Sequence, residues 1–207
     1  MKKVLEIGGF ISGAILIAFG VAVIALGANG RSTVNSNLKA EQITGSPDMT
    51  PALIKVEAAK AGLKNVSFPT CSVADKAVTS GTTARCFAQY MRIHALEASG
   101  GLPYSQMPRF ATADGKGTND ATMAMMANGQ PVANAARDTW VTETALSTAL
   151  NVSFMASQLS LFSIVIGLAL LLTGIGFVVL DYVALHVRRE KKATEAAAID
   201  TRKAALA

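Results

Sequence analysis

Two stretches without charge constrain this chain more than anything else in it. Ile7 to Ala28 contains no ionisable residue, and neither does Thr144 to Leu180, whose most apolar part begins near Leu159. A helix that crosses a bilayer needs roughly 20 such residues, and no other segment of the 207 meets that condition. The charged start at Lys2 and Lys3 would also suit a secretory signal. Its apolar core, however, runs roughly 7–15 residues, and no Cys follows this stretch that could carry a lipid. The first stretch is therefore expected to be an uncleaved anchor.

Lys and Arg near the membrane ends set the orientation. Lys2 and Lys3 precede the first span. His186 and the basic cluster Arg188, Arg189, Lys191 and Lys192 follow the second. The expected layout is a cytoplasmic N-terminus (1–6), a transmembrane helix (7–28), an extracytoplasmic domain (29–157), a second transmembrane helix (158–180) and a cytoplasmic basic helical tail (181–207). The fold class is mainly α, with two spans (N-in, C-in) flanking a mostly helical outer domain at the plasma membrane. The net charge of +5 is then mostly a topology signal, with no patch for nucleic acid. The basic cluster could also attract anionic lipid headgroups at about 1 kcal/mol per residue.

Within the outer segment, Thr50-Pro51 opens a helix and Gly62 ends it, with Leu53, Ile54, Val56 and Leu63 as its apolar side. A second helix is expected from about Thr83 to Ser99, stopped by Gly100-Gly101, with Phe87, Tyr90, Met91 and His94 on one side. Residues 102–131 are rich in Gly, Pro, Asn, Asp and Thr and read as loop, with a helical turn at Ala121–Ala127. Neither Gly nor Pro occurs from Val132 to Ile166 or from Phe177 to the end, so the second membrane helix should extend beyond the bilayer on both sides. Trp140 falls about 25 Å before the membrane edge, too high for an interfacial belt, and reads as an anchor of the outer domain. Tyr182 sits where an inner belt aromatic belongs.

The strongest pattern lies in the spans. Gly13, Gly20 and Gly27 recur every seven residues, with Gly9 one turn earlier; Ser153, Ser160, Gly167 and Gly174 recur at the same interval. A seven-residue repeat keeps small residues on one left-handed seam, and small residues let helices approach where lipid removes the hydrophobic difference. The seam could join the two helices to each other or to a partner.

Candidates for chemistry are sparse. Cys71 and Cys86 both fall in the outer, disulfide-permissive compartment, and the loop they would close is worth about 3 kcal/mol by the loop-entropy model; the alternative is two free thiols. His94 and His186 are the only histidines and lie on opposite sides, so they cannot share a metal. Glu97 and Ser99 near His94 make a weak case for a triad, and His94 is better read as a packed helix residue with one hydrogen bond. Met123, Met125 and Met126, with Met107 upstream, could suit Cu(I) or simply adaptable packing. Asn65-Val-Ser67 and Asn151-Val-Ser153 match the short glycosylation sequon. No catalytic, cofactor-binding or metal residue is assigned from the sequence, and the chain is expected not to be an enzyme.

Leu38-Lys-Ala-Glu-Gln-Ile-Thr44, His94-Ala-Leu-Glu-Ala-Ser-Gly-Gly101 followed by Tyr104, and Asn151-Val-Ser-Phe154 leading into Leu159-Ser-Leu-Phe162-Ser together resemble a family of small two-helix membrane proteins of actinobacteria. The resemblance covers about half the chain. The Cys71–Cys86 region and the stretch from about Arg109 to Glu143 depart from the family pattern. Members often carry the automatic label of aromatic ring-opening dioxygenase. That chemistry uses non-haem iron held by two His and one carboxylate, and this chain cannot bring two His together. By layout and size the resemblance implies an accessory subunit of a membrane complex, with the cytochrome bcc–aa3 respiratory supercomplex as the best candidate. A free-standing envelope protein with an outer domain for lipid, a secreted partner or copper is the other reading.

Overall fold

The computed structural model describes residues 2–204, with side chains for 7–195 and 197–199. Lys2 and Lys3, on which the N-terminal orientation rests, have side chains outside that description. Among the described residues the chain is mainly helical: α1 (Lys2–Ala40), α2 (Pro51–Lys60), α3 (Gly81–Ala98) and α4 (Ala135–Ala204), with two short 3-10 turns and one two-stranded hairpin. It divides into two compact units, Met1–Asn29 with Leu159–Ala207, and Gly30–Gln158.

The first unit pairs the apolar part of α1 with that of α4. Both helices are long and apolar enough to cross a membrane. Their outward faces carry large exposed side chains, among them Phe10, Phe19, Leu26, Phe162, Leu172 and Leu180. α4 runs for 70 residues, about 105 Å at 1.5 Å per residue, far more than one span requires.

The second unit has its own core. Ile54 and Ala58 of α2, Ala84, Phe87, Tyr90 and Ile93 of α3, Leu38 and Leu150 pack with Met49, Val73 and Val78. Tyr90 and Ile54 are fully buried, each worth about 1.5–3 kcal/mol of transfer energy. The segments around Ile43 and Val78 are laced together by backbone bonds, Val78 N–H to Ile43 O at 2.8 Å and Gly45 N–H to Lys76 O at 3.0 Å. They approach so closely at Gly45 that a Cβ there would overlap the Val73 main chain.

The helix ends follow local chemistry. The Thr50 hydroxyl accepts from Leu53 N–H with Pro51 in the first turn, and Gly62 follows the end of α2 at φ +69°. Ser80 and Thr83 form a reciprocal capping box, so α3 begins at Gly81, two residues before its expected start. Gly100 and Gly101, both at positive φ, end it.

α1 runs on past the expected span end at Ala28 to Ala40, because Val34 and Leu38 have a core to pack against. Two local expectations need correcting. Leu53 and Val56 face outward on α2 at 48 % and 50 % exposure; only the one-turn stripe Ile54/Ala58 is buried. The turn expected at Ala121–Ala127 is a single 3-10 turn at Ala121–Met123, and Met126–Ala127 pairs with Gln130–Pro131 instead. Asn128 and Gly129, at φ 52° and 76°, make the two-residue loop, whose two positive φ values suit an Asn-Gly pair.

Candidate functional site

Two places in the molecule gather residues that could do more than fill a core. The first is the helix seam. A Cβ placed on Gly13 would stand 2.9 Å from Gly174 O, one on Gly20 2.8 Å from Gly167 O, and one on Gly27 2.7 Å from Ser160 O. The partner number falls by seven as the first rises by seven, so the two helices run antiparallel within this unit. Gly167 and Gly174 reciprocate against Gly20 and Gly13. The seven-residue stripes therefore face each other rather than outward. Beyond Gly13 the seam ends where Gly9 lies against the Asp181 carboxylate, whose buried Oδ2 has no hydrogen-bond partner among the described residues. Ser153 is not part of this pairing. It lies in the other unit, half-buried, with its hydroxyl donating to Ala149 O at 3.0 Å. Arg188, Arg189, Lys191 and Lys192 are exposed along α4.

The second place is on the face of the Gly30–Gln158 unit where α2 meets α3. Cys71 and Cys86 are disulfide-bonded, with Cα atoms 6.1 Å apart, tying the loop before α3 to its second turn. The buried Tyr90 hydroxyl donates to Cys71 O at 2.6 Å. One turn further along α3, His94 Nε2 lies 2.7 Å from Asp48 Oδ2, on the loop before α2. Glu57 of α2 completes a group in which one donor atom of each of Asp48, Glu57 and His94 lies within 4.8 Å of the others. Glu97 follows His94 by three residues on the same helix, and its Oε1 is buried without a hydrogen-bond partner.

The electrostatics reflect that crowding. Burial pushes the Glu97 carboxyl above the usual range; His94 pulls the other way, while the charges of Glu57 and Asp48 push it further up. Burial also pushes Asp48 upward. Hydrogen bonds from Ser46 and its own backbone N–H, together with His94, more than offset this and hold it below its ordinary value. Burial and the Asp48 charge raise the Tyr90 hydroxyl.

The sequence singled out His94 but not its partners. Asp48 and Glu57 lie far from it in the chain, so no spacing motif joins them; His94-x-x-Glu97 was the one local signal. The triad reading fails, since the Ser99 hydroxyl donates to Leu96 O instead. Met123, Met125 and Met126 are exposed at 70 %, 46 % and 58 %, while Met107 is buried against Trp140 and Ala95, so the four thioethers do not form one cluster. Trp140 lies in the small core of this second unit, with the Arg92 guanidinium 4.0 Å above its ring and 3.7 Å from the buried Glu143 carboxylate.

No family model, curated protein or solved structure matches the chain.

Proposed function

We propose that this chain is a non-enzymatic accessory subunit of a larger membrane complex, crossing the plasma membrane twice with both termini cytoplasmic and the Gly30–Gln158 unit outside. The observation that carries this reading is the use of the seam. The glycine stripes are consumed in joining α1 to α4, and the rest of the hairpin presents Phe10, Phe19, Phe162 and Leu172 outward. A pre-assembled hairpin with an apolar exterior suits lipid on one side and partner helices on the other. Antiparallel pairing puts the Gly9 end of α1 beside Asp181 on α4, so that the segments leading to Lys2/Lys3 and to Arg188–Lys192 leave the seam on the same side, in keeping with those signals. Both spans lack an ionisable residue, which favours contact over transport.

The actinobacterial cytochrome bcc–aa3 supercomplex is the candidate host, because its small accessory subunits share this size and two-helix layout. Purification of the tagged chain in mild detergent, followed by native electrophoresis and mass spectrometry, tests the proposal. A subunit should migrate with the oxidase and cytochrome bc polypeptides at near-constant ratio. Migration of the chain alone would instead favour a free-standing envelope protein.

A further inference from the structure

We infer that Asp48, Glu57 and His94, with Glu97 beside them on α3, form a binding site for a divalent first-row transition-metal cation of the zinc or manganese class. The inference goes beyond the subunit reading and does not depend on it.

The donor set is the first argument. One imidazole nitrogen and two carboxylates, those of His94, Asp48 and Glu57, converge from three separate parts of the chain: α3, the loop before α2 and α2 itself. Glu97 stands one turn further along α3 and feels the charges of all three. Donors around one zinc at roughly 2.0–2.2 Å stand about 3 Å apart. The His94–Asp48 pair, at 2.7 Å, is already near that separation. Glu57 is half-buried, and its carboxylate needs only a side-chain rotation to close the remaining gap from within 4.8 Å.

The second argument is charge. The contact between His94 and Asp48 accounts for two of the four groups. It leaves Glu57 and Glu97 facing the same space, and among the described residues no Lys or Arg pairs with any of these carboxylates. Glu97 Oε1 is buried with no hydrogen-bond donor, a cost that protein interiors rarely carry without a partner. A cation beside Asp48, Glu57 and His94 would offset the repulsion that these carboxylates and Glu97 exert on one another. His94 and Asp48 keep about a quarter of their side-chain surface exposed, 27 % and 25 %, which gives a hydrated ion a way in.

The donor chemistry narrows the ion. An imidazole ligand favours zinc and its neighbours over calcium and magnesium, which prefer all-oxygen shells. A single imidazole with several carboxylates also differs from the two-histidine set of non-haem iron oxygenases. Bound here, the ion would staple α2 and its leading loop to α3, close to the disulfide that tethers the start of the same helix.

The test uses the full chain in detergent, stripped with chelator and then dialysed against zinc, manganese or calcium chloride. We expect about one zinc or manganese per chain by elemental analysis, and no displacement by calcium. Glu57→Gln and Glu97→Gln are close to isosteric, and circular dichroism will verify that they fold. Each should weaken zinc binding by about tenfold or more in calorimetry. A parent that retains no metal, variants that bind as tightly as the parent, or a preference for calcium would each overturn the assignment.

Discussion

Gly20 and Gly167 meet main chain to main chain: a Cβ built on either glycine would stand 2.8 Å from the carbonyl oxygen of the other. Neither position can accept even alanine without moving a helix, since the Gly20 Cβ would also stand 2.7 Å from Leu171 N. On the membrane-spanning reading proposed above there is little hydrophobic gain from helix association, and close backbone approach is then the main source of affinity available to this pair. The seven-residue interval keeps that approach in register over two further crossings, at Gly13 and Gly27.

Gly20→Leu should therefore destabilise the helix pair by about 1–3 kcal/mol, the usual range for overpacking. Gly176 offers a matched control on α4, because nothing lies within 4 Å of a Cβ there. Unfolding of both variants by a graded denaturing detergent should separate them, with Gly176→Leu close to the parent. Equal losses in the two would show that bulk rather than the seam is responsible.

The Cys71–Cys86 bond closes a separation of 15 residues. By the loop-entropy model its loss costs about 3 kcal/mol. The paired substitution Cys71→Ser with Cys86→Ser should lower the denaturant midpoint accordingly, and peptide mapping without reductant should recover the linked pair from native membranes. A midpoint unmoved by the substitution would mean that the Tyr90 hydrogen bond to Cys71 O and the surrounding core hold the loop unaided.

Arg92 shields a buried charge. The Glu143 carboxylate is only 3 % exposed, accepts the Ser147 hydroxyl at 2.6 Å and has Arg92 as its cation. Removing one partner of a buried ion pair costs about 3–5 kcal/mol, but Arg92 is itself 49 % exposed and solvent screens its share. Arg92→Ala should thus cost about 1–3 kcal/mol and alter Trp140 fluorescence through loss of the stacked guanidinium. Adding Glu143→Gln should recover part of the loss; strict additivity in that cycle would show that the two side chains do not interact.

What could be read from the chain was what local chemistry decides. Thr50-Pro51, Gly62 and Gly100-Gly101 mark helix ends through backbone geometry that needs no tertiary partner, and the two long apolar helices declare themselves by length and composition. What could not be read depends on distant contacts. α1 passes through Gly30 because Val34 and Leu38 find a core formed by α2, α3 and the 73–78 segment. Asp48 and Glu57 join His94 only once α2 is docked on α3. The hairpin is a different case: Asn128-Gly129 is a direct turn signal, but it sits in a stretch whose Gly, Pro and Asn content reads as plain loop.

Topology gives the next expectation. Single cysteines placed at the two chain ends, in a background lacking Cys71 and Cys86, should resist a membrane-impermeant thiol reagent in intact cells, whereas a cysteine in the Met126–Pro131 hairpin should react. Labelling of either terminus would reverse the orientation drawn from the basic residues.

Glu97 should make the metal-free protein respond to pH in a definite direction. Burial first, then the charges of Glu57 and Asp48 against the opposing pull of His94, raise its carboxyl above the ordinary value of 4.5. A carboxyl whose folded pKa is raised binds its proton more tightly in the folded state. Its contribution to stability is therefore fully present below the unfolded value and is lost as pH rises through the folded one. Asp48 has the opposite shift, and its contribution fades only on acidification below its ordinary value of 3.8. Between about pH 5 and pH 8 the difference between Glu97→Gln and the parent thus reports on Glu97 together with the neighbours whose charges it feels, His94, Glu57 and Asp48, while groups remote from it cancel. In chelator, the variant should be the more stable protein near neutral pH, and its advantage should shrink steadily as the pH falls. Denaturant titrations at several pH values would measure this. A variant no more stable than the parent at neutral pH would mean that the Glu97 oxygen finds a partner in solution and carries no cost.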